Sequence, residues 1–73
     1  MDVLDRITFD PNQFGGKPCL RGLRIPVSTI LTLLRDHSHD EILTDYPELE
    51  RADIDAALAY ATYLTETRDV LVA

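Results

Sequence analysis

The sequence predicts an α+β domain, mainly α, in which a short N-terminal β hairpin precedes a three-helix bundle containing a helix-turn-helix-like pair. Three observations carry this. All three glycines and three of the four prolines fall in residues 1–26, whereas residues 27–68 carry helical periodicity punctuated once, by Pro47. Ser38 and Glu41 form an S-x-x-E capping box, which fixes one helix start. The chain has 73 residues, enough for one domain, and its 45% hydrophobic content is ordinary for a packed one.

Along the chain, Ile7-Thr8-Phe9 alternates apolar and polar and enters a turn at Asp10-Pro11-Asn12, so it reads as a short strand. Gly15-Gly16-Lys17-Pro18 is a second turn signal. Cys19-Leu20 and Leu23 to Ile25 lean to β around Arg21-Gly22, where Gly22 can supply the positive φ of a tight hairpin. Pro26 stops any strand and suits a helix start. A first helix is expected from Val27 to Arg35, with Val27, Ile30, Leu31 and Leu34 as its apolar stripe. A second starts at the capping box and is bounded by Pro47. A third is expected over Arg51–Thr65, with Ile54, Ala57, Leu58, Ala61 and Leu64 inward, Glu50 as N-cap and Leu49 stapled onto Ile54. Residues 69–73 form a tail. Its apolar run Val70-Leu71-Val72 either packs on the body or docks on a partner chain.

The net charge of −6 is unevenly spread. Arg6, Lys17, Arg21, Arg24 and Arg35 outnumber the acids of the first 35 residues, while the remainder sets ten acids against Arg51 and Arg68. Overall acidity argues against non-specific nucleic-acid binding, which phosphate contacts dominate, and favours a basic protein partner. No apolar run approaches the roughly 20 residues of a membrane span. The opening MDVLDR places acids where a secretion signal carries bases, so a cytoplasmic protein is expected, and the lone Cys19 suits a reducing compartment. With one cysteine and no zinc-finger spacing, a core this small lacks a staple, and a homodimer is expected.

Lys17, Arg21 and Arg24 form the one basic cluster. They are the candidate DNA- or anion-binding residues, since arginine forks bind phosphate or carboxylate bidentately. The same forks can instead pair with an internal acid such as Asp10 and order the loop. If the third helix reads a DNA groove, Arg51 and Asp55 are the candidate recognition positions, but Glu50, Arg51, Asp53 and Asp55 at its start include three acids that would oppose phosphate. His37, Ser38, His39, Asp40 and Glu41 do not make a metal site, because the capping box occupies Ser38 and Glu41 and the two histidines do not share a helical face. Cys19 has no neighbouring histidine and reads as a small buried residue. No catalytic constellation is visible, and neither enzyme activity nor a cofactor is expected.

Taken together, Gly16-Lys17-Pro18, Arg21-Gly22-x-Arg24-Ile25-Pro26-Val27, Glu41-Ile42-Leu43 with Tyr46-Pro47, and Asp53-Ile54 with Ala57-Leu58 resemble the bacterial and archaeal domain-of-unknown-function family 433, over residues 7–60. The resemblance implies a homeodomain-like three-helix fold with an N-terminal β segment. It also implies an antitoxin of a type II toxin–antitoxin pair, whose partner is a PIN-like ribonuclease toxin encoded next door; operator DNA is a further partner open to such a domain. The alternative is a DNA-binding or structural adaptor domain with no toxin partner. Two positions depart from the pattern. His37 stands where relatives carry Gly and is expected in a left-handed conformation, and Glu50 stands where relatives carry Thr as the helix cap.

Overall fold

The computed structural model describes residues 3–68. A 3-10 turn, Val3–Arg6, leads into strand β1, Ile7–Phe9, which pairs antiparallel with β2, Pro18–Leu20. The register is Ile7 with Leu20, Thr8 with Cys19 and Phe9 with Pro18. Pro18 is tolerated because it opens its strand, where no ladder N–H is missed. The expected hairpin resolves into two reversals. Residues 10–17 link the paired strands, beginning with an Asx turn in which Asn12 N–H donates to Asp10 Oδ1 (2.9 Å). Arg21-Gly22 then makes a tight turn of its own, with φ of 48° and 71°, and Leu23 N–H donates to the Leu20 carbonyl (2.8 Å). Positive φ at both central residues is the mark of a type I′ turn. Gly22 fits it freely; Arg21 bears the Cβ penalty.

Helix α1, Val27–Leu33, starts behind Pro26, whose φ of −65° is already helical. It stops two residues short of the expected Arg35, and its end corrects the expectation for His37. That residue is not left-handed; its backbone N–H donates to the Leu33 carbonyl (2.8 Å), and its Nδ1 lies 3.2 Å from the same oxygen. The chain therefore leaves α1 through right-handed turns and needs no glycine there.

Helix α2, His39–Asp45, has both halves of the expected capping box. Glu41 N–H donates to Ser38 Oγ (3.1 Å), and Ser38 N–H donates to Glu41 Oε1 (2.8 Å). Helix α3, Arg51–Arg68, begins where expected and runs three residues further. Leu20, Ile25, Val27, Ile30, Ile42, Leu49, Ile54, Ala56 and Ala57 form one buried cluster, which unites the turn, all three helices and the stapled pair Leu49 and Ile54.

The stripe on α3 needs correcting. Leu58 and Leu64 are 42% and 41% exposed, whereas Asp53 and Ala56 are fully buried. At 100° per residue Leu58 lies well away from the side shared by Asp53, Ala57 and Tyr60, so it faces outward. Leu64 is on that shared side but near the far end of α3, where the described residues cover it only in part. Val70, Leu71 and Val72 lie outside the described residues. Among the described residues no helix is long and apolar enough to cross a membrane.

Candidate functional surface

The most elaborate polar arrangement joins the N-terminal turn, the Arg21-Gly22 turn and the start of α3. Arg21 donates to both oxygens of Asp53, Nε to Oδ1 (2.9 Å) and Nη2 to Oδ2 (2.8 Å). Arg6 Nη1 donates to Asp53 Oδ1 and to Glu50 Oε1, both at 2.9 Å. Glu50 N–H donates to Asp53 Oδ2 (2.8 Å), and Arg21 Nη2 reaches the Glu48 carbonyl (2.8 Å). Each oxygen of a carboxylate that sees no solvent thus accepts two hydrogen bonds, which is the condition under which a buried charge is tolerable.

Electrostatics follows the geometry. Burial alone would raise the Asp53 pKa, but the hydrogen bonds from Arg21, the Glu50 backbone and Arg6 outweigh it, and the carboxyl is held below its usual range. The Arg6 pKa is raised, first by its hydrogen bond to Glu50 and then by that to Asp53; Arg21 is raised by Asp53. Asp53 stands at the third position of α3 and accepts from the N-cap backbone, the N3 half of a capping box, while its own N–H donates to the Glu50 carbonyl (2.8 Å) in place of a side-chain cap. Its burial removes it from the acids assigned to the outer surface of that helix. Neither Asp53 nor Arg6 was singled out as a site by the sequence reading. The available signal was an acid at N3 behind a poor N-cap.

Of the two roles open to the arginines, Arg21 takes the internal pairing, and its partner is Asp53, not Asp10. Lys17 and Arg24 are exposed and have no ion-pair partner among the described residues. They stand at either side of β2, one just before it and the other just after the turn that follows. Arg51 and Asp55 are exposed on the first turns of α3, and Arg51 is ion-paired with Asp40 at the start of α2. With Arg6, Arg21 and Arg51 all engaged by acids, the exposed carboxylates of Glu41, Asp45, Glu48 and Asp55 form no ion pair among the described residues. The surface of α2, the turn behind it and the start of α3 is therefore left with negative charge.

A second surface is apolar. Pro18, Val27 and Leu31 face Tyr60, Ala61 and Leu64 across an open groove of about 360 Å³. Phe9, 58% exposed, packs its ring 6.2 Å from that of Tyr60, which stacks on Tyr63 at 6.5 Å. Cys19 is buried, and its Sγ lies 3.5 Å from the Lys17 carbonyl, a small core residue rather than an accessible nucleophile.

Comparison with known proteins gives one match. The family model described as "Protein of unknown function (DUF433)" matches residues 7–61. That span holds the hairpin, the paired Arg21 and Asp53, and all of α1 and α2. No curated protein and no solved structure matches the chain.

Proposed function

The chain belongs to the DUF433 family, and from that premise we propose that it is a binding domain of the antitoxin type, neutralising a PIN-like ribonuclease toxin by direct contact. The observation that carries the reading is the charge left after internal pairing. Glu41, Asp45, Glu48 and Asp55 stay exposed and without an ion pair among the described residues, while the arginines of the same region are tied to Asp53, Glu50 and Asp40. A ribonuclease must attract a phosphate backbone, so the face it turns to substrate is basic, and an acidic domain can compete for it. Such attraction governs association rate and partner choice more than final affinity. The chain acts without cofactor or catalysis in this reading, as a homodimer in the cytoplasm.

Calorimetric titration of the chain into the PIN-type nuclease of the adjacent reading frame tests this. The reading expects a one-to-one ratio of chains, affinity that falls as salt is raised, and weaker binding by Glu48→Lys and Asp55→Lys. Absence of a complex, or a complex indifferent to both reversals and to salt, would overturn it.

Lys17 and Arg24, exposed and without an ion pair among the described residues, favour a second activity in the same protein, contact with operator DNA from the β2 side. The acids around α3 oppose groove entry by Arg51 and Asp55.

A further inference from the structure

The stripe that α3 buries against the body does not end where the body ends. Ala57 is fully buried; Tyr60, Ala61 and Leu64 follow it at spacings of three, four and seven residues, which keeps them on the same side of the helix. Over that second half the described residues cover the stripe only in part: Tyr60 and Ala61 are half-buried and Leu64 is 41% exposed, and with Pro18, Val27 and Leu31 they wall the apolar groove. We propose that this groove and the outer half of α3 are the surface on which a second copy of this chain docks, the α3 helices meeting across a two-fold axis.

Charge selects the occupant. A partner of net charge −6 is repelled from most of this molecule, and from the α2–α3 junction above all. The ten residues Ala56–Thr65 contain no charged side chain, in a chain where 27% of residues are charged. A like-charged copy can approach closely here at little electrostatic cost, whereas a basic partner gains nothing. Shape agrees with charge. The helix that forms one wall of the groove also presents the ridge of Leu64 and Tyr63, 41% and 49% exposed. Each copy thus offers both a groove and something to place in it, the self-complementarity that a two-fold contact requires. Exposed Phe9 and Tyr63 on either side of Tyr60 supply the aromatic anchors that carry energy at such interfaces. The inference rests on the self-association part of the proposed function and not on the toxin.

Sedimentation velocity of the full chain from about 1 to 100 µM is the test. The expected species has twice the 8.2 kDa chain mass. Leu64→Glu should raise the dimer dissociation constant by about 30-fold or more, the effect of losing a buried anchor. Ser28→Glu acts from the opposite wall, at the second position of α1, where a carboxylate suits the helix dipole and spares the fold. It should weaken the dimer too. Asp55→Lys, aimed at the toxin-facing surface, should leave the dimer intact. A wild-type monomer throughout the range overturns the proposal, as does a dimer that survives both groove variants with native helical signal. If the groove variants lose the nuclease while the wild type is monomeric, the groove belongs to the toxin and the proposal falls.

Discussion

Replacing Arg21 separates a structural from a nucleic-acid role most sharply. Truncation to Ala removes two hydrogen bonds to Asp53 and one to the Glu48 carbonyl, and it leaves a solvent-free carboxylate held by Arg6 and one backbone N–H. Breaking one side of a buried pair costs about 3–5 kcal/mol. The Arg21 side chain is 34% exposed and Arg6 still compensates Asp53, so the lower end applies, about 2–3 kcal/mol after allowing for solvent screening. For a domain this small each kcal/mol shifts Tm by about 4–8 °C. Thermal melts followed by circular dichroism should therefore drop by about 10–20 °C. Arg21→Gly should melt above Arg21→Ala by the equivalent of about 1 kcal/mol, because φ at this position is 48° and Gly sits there without a Cβ clash. The pH dependence has a definite sign. The folded pKa of Asp53 is depressed, so its contribution is full above the unfolded carboxylate pKa and is lost as pH falls through the folded value. Asp53→Asn should be much less stable than wild type at pH 7, and the gap should narrow below about pH 4. An Arg21→Ala variant that melts within about 3 °C of wild type, under 1 kcal/mol on the same scale, would refute the reasoning.

Three further outcomes are expected. Ser38→Ala should cost about 1 kcal/mol in chemical denaturation, since Ser38 Oγ satisfies the Glu41 N–H. His37→Gly should destabilise, by about 0.5–1 kcal/mol, because position 37 has no positive φ to reward glycine and the unfolded chain gains freedom; a raised Tm would contradict this. In operator-binding assays over a range of salt, Lys17→Ala and Arg24→Ala should each reduce the slope of log K against log salt by about one while leaving Tm unchanged, as for a lost phosphate contact; a slope that both variants leave intact would remove these residues from the interface.

Local chemistry was legible in the sequence wherever two short-range signals agreed. The capping box located α2 because Ser38 and Glu41 bond each other's backbone, and Pro26 and Pro47 bounded their neighbours through fixed φ. Leu49 and Ile54 were legible as a staple by spacing alone. What failed depended on distant contacts. The burial of Asp53 depends on Arg6 and Arg21, 47 and 32 residues away in the chain, and no periodicity records that. Asp53 looked like surface charge because Asp is rarely buried unpaired, and its partners lie in a turn and a hairpin. His37 is the local exception: a helix can end through right-handed turns as well as through a left-handed cap. Leu64 lies on the inward stripe yet is 41% exposed among the described residues, because an open groove separates it from Pro18, Val27 and Leu31.

Neutralisation of a ribonuclease by contact with the acidic α2–α3 surface is read out as RNA cleavage by the adjacent PIN-type nuclease while the chain is titrated in. Cleavage should fall to background at one chain per nuclease, and Glu48→Lys with Asp55→Lys should restore cleavage at the same ratio while the double variant keeps the wild-type melting curve. Undiminished cleavage in the presence of excess folded chain would contradict it.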